Sequence, residues 1–282
     1  MFQPLLLIVA LAVQSGVLPI RDMPAPPAPS KVVAKVNGSD IKASDLEPLL
    51  WDWKAGELLN EVIQLKLLFD EAAKEGMAVT DKQVEDKLAK DMEQYRQTLQ
   101  PGQKLEDALA QQGLSKSRLE LLTRYNLLLE KLALKDFSPT AFVKVSTILV
   151  RPASEQAADL SAAIAKAGAA YDRLQKGEKW AAVLASTASD PRMAQNEGAI
   201  GWRMISLFPA TVAEELKKLP AGKYTKPAQT QFGIQIFRVD ARGDTLAGEE
   251  LDSLRQQFAQ AQRQAIVNRL QSQAKVEKFL GK

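Results

Sequence analysis

The chain has 282 residues, 46% of them apolar and 25% charged, with a formal net charge of +3, no cysteine and no histidine. Its length supports one or two domains with real cores, and so small a charge gives no electrostatic case for nucleic acid. Without cysteine or histidine there can be no disulfide, thiol nucleophile, lipidated N-terminal Cys, Ser-His-Asp triad or ordinary zinc site, which removes most hydrolase chemistry. No metal or other cofactor is expected.

The chain opens with an apolar run, Leu5 to Val13, of the length of a signal-peptide core. The small residues of Val13-Gln14-Ser15-Gly16 allow cleavage after Ser15. Met1-Phe2-Gln3 lacks the usual positive charge, and the apolar stretch, even extended to Ile20, stays short of the ~20 residues of a spanning helix. Residues 1–20 therefore read as a signal peptide, with a retained anchor close to a membrane as the alternative. Residues 21–31 follow as a linker, with Pro24, Pro26, Pro27 and Pro29 holding it extended.

Residues 32–141 read as a small hairpin followed by helices. Val32 to Val36 is a strand and Asn37-Gly38 a tight turn. Ser44-Asp45-Leu46-Glu47 has the form of a capping box. From Leu58 to Lys74 the stripe Leu58, Val62, Leu65, Phe69 and Ala72 predicts a helix ending before Gly76. Thr80-Asp81-Lys82-Gln83 is a second capping box, launching a helix with Val84, Leu88, Met92, Tyr95 and Leu99 on one face, stopped by Pro101-Gly102. Two further helices are expected, Leu105 to Gln112 and Ser117 to Leu134.

In residues 142–243 the ends are strand-like, Lys144 to Val150 and Thr230 to Val239, with Gly233 marking a bend or a close backbone approach. Between them come a long helix from about Ser154 to Lys176, stopped by Gly177, and a short one from Glu178 to Thr187. Ser189-Asp190-Pro191 is a turn and Glu197-Gly198-Ala199-Ile200-Gly201-Trp202 a loop. Pro209 opens a helix, Ala210 to Leu219, closed by Pro220-Ala221-Gly222. Finally, residues 244–282 hold one long helix, Leu246 to Leu280, whose stripe Leu251, Leu254, Phe258, Ala261 and Ala265 drifts to Ile266, Leu270 and Ala274. Such a stripe needs a cover. Docking on the N-terminal helices supplies one, and a coiled coil between two copies is the alternative.

Five segments in register, Ile148-Leu149-Val150, Gly177-Glu178-Lys179-Trp180, Ser189-Asp190, Glu197 to Trp202 and Thr230-Gln231-Phe232-Gly233, with the helix pattern between them, resemble the parvulin (PpiC-type) family of peptidyl-prolyl cis-trans isomerases. Upstream, Val32-Val33-Ala34-Lys35-Val36-Asn37-Gly38, Glu71-Ala72-Ala73-Lys74-Glu75-Gly76 and Val79-Thr80-Asp81 resemble the N-terminal chaperone region of SurA/PrsA-type foldases. The resemblance implies an α+β chain: a helical chaperone domain built from the N-terminal helices and the long C-terminal helix, with a parvulin-like domain inserted, a small antiparallel sheet flanked by helices. Members of the family usually carry a histidine just before Ile-Leu-Val and another after the Phe-Gly pair. Thr147 and Gln235 stand at those positions.

An X-Pro bond isomerises over a barrier of roughly 18–20 kcal/mol without any bond breaking, so an apolar slot and hydrogen bonds to the twisted amide suffice for catalysis. By the resemblance, the catalytic candidates are Thr147 and Gln235 as a neutral polar pair and Asp190 as a nearby negative charge. The alternatives are mutual satisfaction inside the sheet for the pair and a turn or cap role for Asp190. Met204, Val212 and Phe232 are the candidate substrate contacts, and Met193, Trp202 and Phe208 are either further slot residues or plain core. The implied function is that of an exported, periplasmic or extracytoplasmic folding factor. Its partners would be unfolded or nascent exported polypeptides, and its isomerase activity would be weak for want of the two histidines. A non-catalytic chaperone, or a self-assembling scaffold forming homodimers through the long helix, are the other readings. A groove between the N- and C-terminal helices is the expected place for client binding.

Overall fold

A computed structural model describes residues 17–20 and 23–280. The signal-peptide or anchor segment, Leu5 to Val13, lies outside the described residues. Among the described residues no helix is long and apolar enough to cross a membrane. The chain divides into two compact units, a central one, Asp136–Phe258, and another made of the residues before and after it.

The flanking unit begins with a hairpin, β1 (Val32–Val36) and β2 (Ser39–Lys42), paired antiparallel. Asn37 and Gly38 both take positive φ, 49° and 84°, as a two-residue hairpin turn requires. Helix α1 (Ala43–Trp53) follows directly. The expected Ser44–Glu47 box is not formed. Instead Lys42 occupies the cap position, its amide donating to Asp45 at 2.8 Å, while the amides of Ala43 and Ser44 donate to the linker carbonyls of Lys31 and Pro29. The linker thus satisfies the helix's free first-turn donors and no serine cap is needed.

Helices α2 (Ala55–Lys74), α3 (Asp81–Arg96), α4 (Leu105–Gln111) and α5 (Lys116–Ala133) complete the N-terminal set. The Thr80–Gln83 box is reciprocal as expected: the Gln83 amide donates to Thr80 Oγ1 at 3.2 Å and the Thr80 amide to Gln83 Oε1 at 3.0 Å. Leu68 and Ala72 of α2, Val84 of α3 and Leu128, Leu129 and Leu132 of α5 form the core. Ala259, Ile266 and Leu270 of the last helix, α9 (Gly248–Gln273), join them. Docking of the C-terminal helix therefore buries the later part of its stripe, Ile266 and Leu270, together with Ala259, whereas Ala261 and Ala265, expected on the buried face, are exposed. The helix is shorter than the 246–280 expected, because it ends within a turn of Leu270, the last residue of the buried stripe. Polar contacts edge this core, Arg269 with Glu71 at 2.9 Å and Arg118 with both Glu61 oxygens at 3.0 Å. Exposed pairs contribute at most about 1 kcal/mol each, so apolar burial dominates.

The central unit is built on a four-stranded antiparallel sheet in the order β4-β3-β6-β5. Its strands are β3 (Phe142–Val150), β4 (Ala199–Met204), β5 (Ala228–Thr230) and β6 (Gly233–Arg242), with helices α6 (Ala157–Gln175), α7 (Trp180–Thr187) and α8 (Ala210–Lys218) around them. Two expectations need correction. The segment read as a loop at 197–202 becomes strand β4 from Ala199 onward, pairing with β3 from Phe142↔Met204 to Ser146↔Ala199. The single strand read over 230–239 is two, reversing at Gln231-Phe232. Gly233 makes the reversal possible with φ 128° and a backbone so close to Val150 that a Cβ would stand 2.7 Å from its carbonyl oxygen.

Strands β3 and β6 lie side by side with Ile148 opposite Ile236. Alternation then gives the sheet two faces. Ile148 and Ile236 pack against Leu174, Trp180, Val183 and Leu184 of α6 and α7. On the other face Val143, Val145 and Val239 pack against Val212, Ala213 and Leu216 of α8. Thr147 and Gln235 lie on that second face, further along it than Val145 and Val239. The candidate site lies there.

Candidate functional site

Thr147 and Gln235 stand on neighbouring central strands, on one face and one step off register, since Thr147 is opposite Phe237 and Leu149 opposite Gln235. Their side chains meet directly: Gln235 Nε2 donates to Thr147 Oγ1 at 3.2 Å, and Thr147 Oγ1 donates to the Ile236 carbonyl at 3.1 Å. Thr230 Oγ1 donates to Gln235 Oε1 at 2.6 Å. The amide of Gln235 is thus oriented from both ends, leaving one N–H of its Nε2 uncommitted. Both residues are nearly buried, Thr147 at 4% and Gln235 at 6% exposed.

Above this pair opens a cleft of about 580 Å³. Its lining comes from β4 (Ile200, Arg203), the following turn (Leu207, Phe208, Pro209), the β5–β6 reversal (Thr230, Gln231, Phe232) and β6 (Gln235, Phe237). Phe208 and Phe237 meet edge to face with centroids 5.1 Å apart, so two aromatic rings form one rigid apolar wall. Phe232 projects from the reversal, 59% exposed, and Leu207 from the turn, 72% exposed. Of the candidate contacts, Phe232 and Gln235 reach the cleft, and so does Phe208. Thr147 sits behind Gln235. Val212 does not reach it: at 1% exposed it is core beneath α8, and its place as a substrate contact is corrected. Met204 pairs opposite Phe142 and is not among the lining side chains, Met193 packs with the α6–α7 core, and Trp202 lies on β4 outside the lining.

Asp190 lies on the turn after α7, which is fastened to the end of β3 by Ser189 N donating to Leu149 O at 2.9 Å and Arg151 N donating to Ser189 Oγ at 2.8 Å. It caps the short turn Pro191–Asn196 through the Arg192 amide, 3.0 Å, and both its oxygens take bonds from the Arg192 guanidinium. Those bonds hold its carboxyl down at about 2. Its charge is spent on Arg192, and it does not line the cleft.

Gly198 fixes the position of Thr147. With φ 72° it carries the chain so close to β3 that a Cβ would fall 2.2 Å from the Thr147 carbonyl oxygen, and its own carbonyl accepts from the Thr147 amide at 2.9 Å. Glu197 before it is also left-handed, φ 54°, and its carbonyl accepts from Trp180 Nε1 at 2.9 Å. Reasoning from the sequence missed Ile200, Arg203, Leu207 and Phe237. Phe237 was legible as an alternate of Gln235 on a strand; the others depend on β4, which was read as a loop.

A four-stranded antiparallel sheet packed by helices, with an aromatic cleft over two hydrogen-bonded side chains of its central strands, defines the central unit as parvulin-like. Residues 148–241 match the family model described as Rotamase, the PPIC-type PPIASE domain. Among curated proteins the chain is similar to the Chaperone SurA of Pseudomonas syringae pv. tomato, 31% identical over 98 residues that make up 35% of this chain and 23% of that one. It is likewise similar to the Chaperone SurA of Aromatoleum aromaticum, 28% identical over 136 residues, 47% of this chain and 31% of that one. The chain thus spans about a quarter to a third of the length of these relatives. Among solved structures it aligns with the peptidylprolyl isomerase PrsA of Bacillus cereus at 18% identity and a TM-score of 0.45, covering 89% of this chain and 95% of that one. The parvulin-type domain expected from the motifs is borne out by the family model, and the likeness to SurA by the curated relatives.

Proposed function

We propose that the protein is a folding factor for exported polypeptides whose central unit binds X-Pro segments in the cleft over Gln235 and accelerates their isomerisation weakly. The observation that carries this is the open aromatic cleft ending on one oriented amide donor. A proline ring fits against Phe208, Phe232 and Phe237, and the free N–H of Gln235 is a neutral donor for a client carbonyl as the X-Pro amide twists. Each 1.36 kcal/mol of preference for the twisted state is about tenfold in rate, so a single neutral donor is consistent with modest acceleration. Export rests on the apolar run Leu5 to Val13.

One observation favours binding without catalysis as the second reading. Thr147 is buried and already satisfied by Gln235 and Ile236, so only one of the two expected polar groups meets a client. We assign client holding to α1 rather than to the expected helical groove, because Leu50, Trp51 and Trp53 of α1 are exposed and none of its residues is buried. An exchange-NMR or protease-coupled assay of the full chain on a short Ala-Pro peptide tests the first reading: rates above the uncatalysed one, reduced by Gln235→Leu, support it. Rates equal to the uncatalysed one, with peptide-induced shifts at Phe232 and Phe237, establish the second. Loss of aggregation suppression in a Trp51→Ala, Trp53→Ala double variant tests the holding surface.

A further inference from the structure

The cleft has a charge of its own. Of its ten lining residues, Arg203 alone is ionised; the others are apolar or neutral polar, and no carboxylate is among them. Arg203 is exposed, and its Nη1 donates to the neighbouring Trp202 carbonyl at 2.7 Å. Three other arginines near this sheet are paired, Arg238 with Asp240 at 2.6 Å, Arg242 with Asp244 at 3.2 Å and Arg192 with Asp190 at 2.9 Å. Among the described residues no carboxylate is paired with Arg203. A guanidinium has five N–H donors in a fixed fork, so most of its donor capacity faces the cleft mouth and solvent.

We infer that the cleft selects proline segments bearing an acidic side chain next to the proline, through Arg203. The inference rests on the cleft being the X-Pro binding site. With the proline ring against Phe208, Phe232 and Phe237, the neighbouring residue leaves the slot over β4, whose exposed cation is Arg203. A carboxylate there gains a charge-assisted, fork-to-fork pair, and a lysine meets repulsion. Since the guanidinium is solvated, the effect is modest and salt-dependent, about two- to fivefold between acidic and neutral peptides at low ionic strength.

The test is titration of the full chain with three fluorescent peptides of one length, Glu, Ala or Lys flanking a single proline, at low and high salt. The expected order of affinity is Glu, Ala, Lys, with the spread collapsing in high salt. In Arg203→Gln the spread disappears, and in Arg203→Glu the order inverts. The readout is the ratio between peptides within one protein, so a general change in affinity does not disguise it. Equal affinities in the parent, or a spread that survives Arg203→Gln, overturn the inference and leave the binding cleft standing. If none of the three peptides binds, the cleft itself is misassigned and the inference falls with it.

Discussion

Gln235 is held at both ends of its amide, by Thr230 and by Thr147, and this orientation is what separates it from a surface glutamine. Replacing it by leucine removes the cleft donor and takes from the buried Thr147 hydroxyl the bond it accepts, while Thr230 Oγ1 keeps the Gly233 carbonyl as an acceptor at 3.1 Å. We expect a loss of peptide isomerisation or binding together with about 1–3 kcal/mol of stability, read from urea unfolding. Gln235→His alone should restore little activity, because its partner position remains Thr147; a large rate gain from that single change would contradict the role given to the pair. The cleft lining contains no His, Asp or Glu, so whatever activity is present should be flat between pH 5 and 8. Asp190 behaves differently. Its folded-state value of about 2 lies below the ordinary carboxylate value, so its contribution to stability is complete above about pH 4 and is lost as pH falls through 2. The difference in melting temperature between the parent and Asp190→Asn should therefore shrink over that acid window and be constant above it.

At the scale of elements, the site is positioned by backbones that approach too closely for a side chain. Gly198→Ala would push a methyl into the Thr147 carbonyl and add the strain of a positive φ. A destabilisation of more than about 1 kcal/mol and altered amide shifts at Thr147 are expected. Gly168→Ala, in the middle of α6 with open space where the methyl would go, should act in the opposite direction, raising stability by about 0.5–1 kcal/mol. Chemical denaturation of the two variants side by side checks both signs. Helices α6, α7 and α8 were legible because Gly177, Pro209 and Pro220 punctuate strong apolar periodicity. Strand β4 was not, because Gly198 just before it and Gly201 within it dilute its alternation, so six residues read locally as a loop.

At the scale of the whole molecule, the chain is read twice by its last helix. Phe258 packs against Phe137 and Phe142 in the central unit, while Ala259, Ile266 and Leu270 complete the core of the flanking unit. The flanking unit is therefore assembled from sequence-distant pieces. Ile266→Ala should cost about 2–4 kcal/mol, measured as a shift in the unfolding midpoint of that unit.

The sequence by itself determined the helices, the hairpin turn at Asn37-Gly38, the Thr80 box, the parvulin-like order of elements and the Thr147–Gln235 pairing, because each is written in local periodicity, in turn chemistry or in motifs a few residues long. Only the tertiary structure decided that Val212 is core, that Asp190 belongs to Arg192, that α1 needs no serine cap and that Arg203 and Phe237 share a cleft. Burial and the joining of strands are properties of residues far apart in the chain, and no local pattern records which distant neighbour will cover or complete them; the Asp190–Arg192 pair, only two residues apart, depends on how the turn that carries it is fastened to the end of β3.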